Sequence, residues 1–496
     1  MIDIKVKIHD AYSFEFKTSF IATKKTTGNE TNEFGINTWL FVPNNIDINR
    51  STYSKEQFYK DTKSYIRLIT PVYTLQEIYM GESSPLSRLK KAIEDITSDP
   101  ENAEFQKNYI FQIRMFSSIF KSASRDRAFY IIEEEENDLL NGLIDEYVLH
   151  ISQIIKRYRD LKPYINHPSI SEDNKQYYIF GDDFIGNILQ QQTFRLMRGL
   201  ENMNSFFQVK DKLHNLVVKE DNYKRSQGYS MLDTKDSSNN YLVIMRWGIL
   251  KKFIESDLFL ITKKSKDGAI AEQFFYGIAA GISMIFATVI SFSAQLHYGN
   301  FTVPLFCALV ISYIFKDRIK DLMRYYFSTQ LGKKYFDTKR QLDIQHEPIG
   351  WTKEAFDYVL ESKVPPEVIS MRKRSPLVEA ENKVYNEQIL LYRKLVRLES
   401  SKIGTYRGYE FIGINDITRF NIAHYIQKMD NPSIPIYLPD EQDGYVRYSS
   451  EKVYALYMVV RCEGSENLYY RKFRLLFNRK GIKEITELKD NQLVQQ

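Results

Sequence analysis

One segment limits what this chain can fold into more than any other. From Phe274 to Leu296 it runs 23 residues without a charge. As a helix rising about 1.5 Å per residue, that stretch is ~34 Å long, enough to cross a hydrocarbon core of about 30 Å. A second uncharged run of 15 residues, Phe301 to Phe315, follows the turn His297-Tyr298-Gly299-Asn300. At about 22 Å it is short for a span and needs the turn residues or a thinned bilayer to help. The pair still predicts a transmembrane helical hairpin, because a lone crossing would put two lysine-rich flanks on opposite faces.

Charge fixes the orientation. Five lysines lie between Lys251 and Lys266, eight Lys/Arg lie between Lys316 and Arg340, and the intervening turn has neither. The positive-inside rule then places both ends in the cytoplasm and the turn outside, which predicts a plasma (cell inner) membrane protein. The window from Tyr241 to Arg340 holds 14 Lys/Arg against 7 Asp/Glu, whereas the whole chain is only +5. All the basic surplus therefore surrounds the hairpin, which favours anionic lipid headgroups as the partner and argues against a nucleic-acid surface. The headgroup candidates are Lys251, Lys252, Lys316, Arg318, Lys320 and Arg324. Between Tyr241 and Ile261, Trp247, Ile249, Leu250, Phe253 and Ile254 mix with Arg246, Lys251 and Lys252. That composition suits a helix at the membrane interface, and ordinary basic flanks would produce it as well.

Along the first span Gly277, Gly281, Met284, Thr288, Ser291 and Gln295 recur at spacings of three and four, forming one stripe of small or polar groups. Such a stripe is a helix interface. Its simplest use is packing the two spans together, with Thr302, Ala308 and Ser312 as mates on the second helix. Self-association, or the lining of a wet pore in an oligomer, are the alternatives, since polar groups in hydrocarbon must be paired or wetted.

A mean hydropathy of -0.40 excludes a polytopic transporter, so most of the chain faces water. Residues 1–50 alternate in strand fashion, as in Ile2, Ile4, Val6 and Ile8. Residues 51–235 read as a helical cytosolic domain, with Phe105, Tyr109, Phe116 and Phe120, then Leu140, Ile144, Val148, Ile151, Ile155 and Tyr158, at helical spacing. Residues 236–345 hold the juxtamembrane segments and the hairpin, and 346–405 read as a helical connector broken at Pro365 and Pro366. The last region, 406–496, predicts an antiparallel meander that could pack with residues 1–50. The fold class expected is thus an α+β membrane protein: a two-helix transmembrane hairpin between a mainly helical cytosolic region and terminal antiparallel β-sheets.

No chemistry-bearing motif emerges. The seven histidines are scattered, and no HExxH, GxxxxGK[ST] or GxSxG occurs, so neither metal nor cofactor is expected. Two cysteines in 496 residues fit a reducing compartment, and the charged amino-terminal stretch lacks the apolar core of a secretory signal. Gly181-Asp182-Asp183 reads as a turn before it reads as a metal-binding pair. Glu133 to Glu136 with Asp138 reads as a solvated helix face. Arg471, Lys472 and Arg474, interleaved with Tyr469, Tyr470 and Phe473, read as solvated strand residues rather than a base-stacking patch. The expectation is a non-enzymatic protein whose cytosolic part senses or assembles with a partner, either a second copy or a cytosolic protein, with the hairpin as anchor or transmitter. On oligomerisation it could perturb or permeabilise the bilayer. The alternative is a membrane-tethered enzyme with a motif-less site in the helical domain.

Overall fold

The computed structural model describes residues 2–22, 31–134, 137–203, 206–344, 347–440, 444–464 and 468–488. It is a mixed α+β structure with antiparallel sheets. Numbered along the chain, the strands are β1 (Ile2–Asp10), β2 (Ser13–Ile21), β3 (Thr31–Val42), β4 (Thr62–Leu68), β5 (Ile261–Lys266), β6 (Thr338–Ile344), β7 (Glu347–Val359), β8 (Gln388–Glu399), β9 (Thr405–Tyr406), β10 (Tyr409–Glu410), β11 (Gly413–Asn421), β12 (Ser433–Asp440), β13 (Gly444–Glu451), β14 (Tyr454–Glu463), β15 (Leu468–Asn478) and β16 (Gly481–Glu487). The helices are α1 (Lys55–Asp61), α2 (Pro85–Ser98), α3 (Ala103–Glu133), α4 (Asn137–Arg159), α5 (Lys162–Ile165), α6 (Glu172–Leu200), α7 (Phe206–Ser226), α8 (Asn240–Glu255), α9 (Ala269–Tyr298), α10 (Val303–Lys334), α11 (Pro366–Arg372), α12 (Pro376–Val384), α13 (Ser400–Ile403) and α14 (Ala423–Ile426). The chain divides into two compact units, one of residues 1–66, 261–403 and 413–496, the other of residues 67–260 and 404–412.

The first unit is a β-sandwich that carries α9 and α10. An eight-stranded sheet runs in the order β16-β15-β14-β3-β8-β7-β6-β5, and a four-stranded sheet runs β1-β2-β11-β4. The terminal regions do more than pack together: β3 pairs with β8 on one side and β14 on the other, and β2 pairs with β11. Between the layers the Phe58 ring of α1 stacks on Phe356 at 4.0 Å, and Tyr392 meets Phe420 at 5.9 Å. The opposite face of the large sheet buries Trp39, Phe41, Ile389 and Val459 with Val364 and Val368.

Residues 346–405 are not a helical connector. They form two long paired strands, β7 and β8, joined by the short helices α11 and α12. In β8 buried Leu390, Tyr392, Lys394, Val396 and Leu398 alternate with less buried residues, the period-2 signature of a strand. Helix-favouring Leu, Lys and Arg obscured it, and tertiary pairing overrode their weak propensity. The β14-β15-β16 meander is as the sequence predicts, although Ser465 and Glu466 of its first turn lie outside the described residues.

The second unit is helical apart from short strand pieces. Long helices α3 and α6 pack against each other, with α2, α4, α7 and α8 around them. Asn102 and Ser171 cap α3 and α6 by accepting first-turn N–H groups, which explains where those helices start. Tyr158 of α4 stacks between Phe116 and Tyr178, at 5.2 and 4.8 Å. Its hydroxyl donates to the Tyr178 carbonyl, and that of Tyr178 donates to the Tyr158 carbonyl, each at 2.9 Å. The acidic run expected as one solvated helix face lies instead at a helix junction: α3 ends at Glu133 and α4 begins at Asn137, with Glu135 and Glu136 outside the described residues.

Candidate functional site

Two places concentrate unusual groups: the α9–α10 pair with its base in the first unit, and a buried ionic cluster in the second. Helix α9, 30 residues, is the one helix among the described residues that is long and apolar enough to cross a membrane, and only 17% of its most apolar stretch is buried. Phe274, Ile285, Val289, Phe292 and Leu296 are exposed, as are Phe306, Val310, Ile311, Ile314 and Phe315 of α10. Helix α10 packs antiparallel beside α9 and turns polar from Lys316 onward.

The pair meets along Ala279, Ser283, Ala287 and Ala294, the buried residues of α9. Ser312 on α10 is buried and donates to the Ala287 carbonyl at 3.1 Å, while Phe275 packs on Phe327. Ala308 is half-buried. The expectation that the glycine stripe packs the two helices together is corrected: Gly277, Gly281 and Met284 are exposed, and a Cβ at either glycine would meet nothing within 4 Å. Alanine and serine made the contact, and their register differs from the glycines' by two residues. The polar end of the stripe is internally satisfied. Thr288 donates to the Met284 carbonyl at 2.9 Å, Ser291 to the Ala287 carbonyl at 2.7 Å, and Gln295 to Asn300 at 2.7 Å.

The base of the pair is built by neighbouring strands. β5 leads into α9, α10 leads back into β6, and β5 and β6 pair from Ile261↔Asp343 to Lys266↔Thr338, so both helices rise from one sheet edge. Asp267 pairs with Lys353 at 3.0 Å and accepts the Phe336 N–H. Asp337 accepts from Lys55 at 2.7 Å, from the Tyr59 hydroxyl at 2.9 Å and from the Phe356 N–H. Burial, with the Asp337 charge beside it, pushes the Tyr59 phenol up. Gly268, at φ +71°, is required there, since a Cβ would fall 2.6 Å from the Tyr335 ring. Of the headgroup candidates, Lys251, Lys252 and Arg318 are exposed, Lys316 covers the Tyr313 ring at 4.0 Å, Lys320 pairs with Asp317 at 3.1 Å, and Arg324 covers Tyr276.

Gly181-Asp182-Asp183 is not a turn but the middle of α6, with both carboxylates 1% exposed. Asp182 accepts from Arg159 Nε at 2.9 Å and from the Tyr223 and Tyr229 hydroxyls at 2.8 and 2.7 Å. Asp183 accepts from Asn187 at 3.0 Å and from Arg246 at 3.1 Å. Arg159 also reaches Glu220 at 2.7 Å, and Lys224 donates to Asn187 and Gln190. Burial holds the Glu220 carboxyl above its ordinary range, although Arg159 pulls it back, and burial lowers the Lys224 ammonium. Three acids and three bases balance, each with at least one hydrogen-bonded partner, which is how a helical core tolerates buried charge. Gly186 makes room for this, because a Cβ would lie 2.3 Å from Glu220 Oε1. Arg159, Glu220, Lys224 and Arg246 were missed from sequence, as nothing in their spacing links them to Asp182.

The sandwich has its own buried cluster: Lys394 reaches Asp416 at 2.5 Å, Thr418 at 3.1 Å and Glu354 at 3.3 Å, and Ser64 donates to Asp416. The basic C-terminal patch is paired rather than available. Lys472 is buried and donates to the Arg372 carbonyl, and Arg471 is tied to Ile4 and Glu487. A shallow cleft of about 440 Å³ in the second unit holds His150, whose Nδ1 lies 2.8 Å from the Tyr79 hydroxyl, beside the Arg127–Glu146 pair at 2.6 Å. Among the described residues, no group of three or more His, Cys, Asp or Glu is arranged to hold a metal. Comparison with protein families, curated proteins and solved structures returns no match.

Proposed function

We infer that this chain is a membrane-anchored assembly or sensing protein of the plasma membrane, with α9 and α10 as a transmembrane hairpin and both β- and α-rich units on the cytoplasmic face. The observation that carries this reading is the apolar exterior of the helix pair, where large side chains from Phe274 to Phe315 face outward and, among the described residues, are left exposed. Water-facing proteins rarely leave so continuous a patch uncovered, whereas a bilayer would solvate it. The apolar part of α10 from Val303 to Phe315 is only about 20 Å, so the returning leg relies on bilayer thinning or on the lysine side chains at its inner end.

Two features favour an anchor that couples to an assembly over a pore. The hydroxyls of Thr288 and Ser291 are satisfied within α9, so the stripe does not need water. The open face at Gly277 and Gly281 admits another helix closely. The enzyme alternative loses its strongest site, since Asp182 and Asp183 are buried and fully committed to neighbours. Alkaline carbonate extraction followed by mass measurement in detergent tests the reading. Expected are a carbonate-resistant pellet and a particle of two or more chains. Release by carbonate would refute the anchor, and a strict monomer under all conditions would refute the assembly.

A further inference from the structure

We propose that α8 is a second membrane contact, an interfacial helix whose outward face lies on the anionic cytoplasmic surface of the bilayer and docks the helical unit there. This rests on the anchor reading above. Helix α8 has two apolar faces. The inward one buries Val243, Leu250 and Ile254 in the helical unit. The outward one carries Tyr241 (67% exposed), Leu242, Ile244, Met245 and Ile249 (58% exposed), with open space over Gly248.

A water-facing helix needs no such second stripe. On a wheel of 100° per residue, Ile244, Gly248, Tyr241, Met245, Ile249 and Leu242 form one continuous sector. Lys252 lies within that sector and Lys251 about 20° beyond its edge, both exposed at the carboxyl-terminal turn. Glu255 falls in the same sector at the last turn, but its carboxylate is buried and paired with Lys121 and Arg67 and so is not presented on that face. The one arginine near the sector's edge, Arg246, is spent on Asp183. An apolar face with a tyrosine at its amino-terminal end and exposed lysines at its carboxyl-terminal end is the composition that binds an anionic lipid surface.

Chain connection supplies the occupant's proximity. Thirteen residues separate Glu255 from Ala269, where the apolar helix starts. Even fully extended they span about 45 Å at ~3.5 Å per residue, so a weakly lipophilic face is held at high effective concentration beside the bilayer.

The test uses the full chain in liposomes of phosphatidylcholine, with and without phosphatidylglycerol. A fluorophore is placed through Ile249→Cys in a Cys307→Ser background, and quenching by shallow nitroxide lipids is read alongside carbonate resistance. At least twofold quenching is expected in anionic vesicles, falling to near zero when Tyr241→Glu and Met245→Glu are added, while carbonate resistance persists in every variant. A carbonate-resistant protein whose probe is unquenched overturns this inference and leaves the anchor standing. A probe shielded from aqueous iodide but not quenched by lipid assigns the face to protein and overturns it too. Release of the unmodified chain by carbonate overturns both. Far-ultraviolet circular dichroism confirms that the exposed-site variants retain their helices.

Discussion

Ile285 stands at the midpoint of the uncharged stretch from Phe274 to Leu296 and is exposed on α9. It lies 11 residues from either end, or about 16 Å along the helix, farther than an arginine side chain reaches to headgroups. Placing Arg there replaces a residue contributing roughly -0.5 kcal/mol to insertion with one costing about 2.5 to 3.5, a swing of ~3 to 4 kcal/mol. At 1.4 kcal/mol per factor of ten, that is roughly 140- to 700-fold in the insertion equilibrium. The assay is the carbonate-resistant fraction of Ile285→Arg against Ile285→Leu, expressed at equal level. Expected is a large loss of membrane-integrated protein for Arg and none for Leu. If α9 were an ordinary water-facing helix, the same change would cost within about 0.5 kcal/mol and would improve solubility. Equal fractionation of the two variants would refute the reasoning.

Three further outcomes test the soluble units. Gly181→Ala puts a methyl 2.3 Å from the Tyr158 hydroxyl, so it should cost about 2 to 4 kcal/mol through overpacking and the lost bond to Tyr178, seen as a lowered urea midpoint. Lys394→Met strands Asp416 and should destabilise the sandwich by about 3 to 5 kcal/mol, and adding Asp416→Leu should recover much of that in a double-mutant cycle. Burial lowers the His150 imidazole below its ordinary value, so the unfolded chain takes up that proton first as pH falls. The His150 contribution is therefore present above about pH 6.5 and lost as pH drops through the lowered value. The midpoint of the unmodified chain should fall between pH 7.5 and 5.5 more than that of His150→Gln.

Elements with strong local signals were legible in the sequence. The charge-free run foretold α9, and alternation with tight turns foretold β1, β2 and the meander from β14 to β16. What failed depended on distance. Strand β8 is flanked by β7 and β3, partners far apart in sequence, and without them its Leu, Lys and Arg residues favour a helix. The interleaving of residues 1–66 with 261–403 and 413–496 likewise has no local signature. At the helix pair, composition identified an interface but chose glycines over Ala279, Ser283 and Ala287, because small-residue spacing does not say which face meets which neighbour. For Asp182 and Asp183, the glycine before them favoured a turn, whereas that glycine admits Tyr158 to a helix core.

The most direct measurement of the central claim is side-specific labelling of the full chain in intact, right-side-out cells with a membrane-impermeant maleimide. In a Cys307→Ser background, Asn300→Cys reports the α9–α10 turn, and Tyr445→Cys reports an exposed position on the β12–β13 ribbon. Expected is labelling of residue 300 from outside and of residue 445 only after permeabilisation. Labelling of both positions from the same side would contradict a hairpin that crosses the membrane.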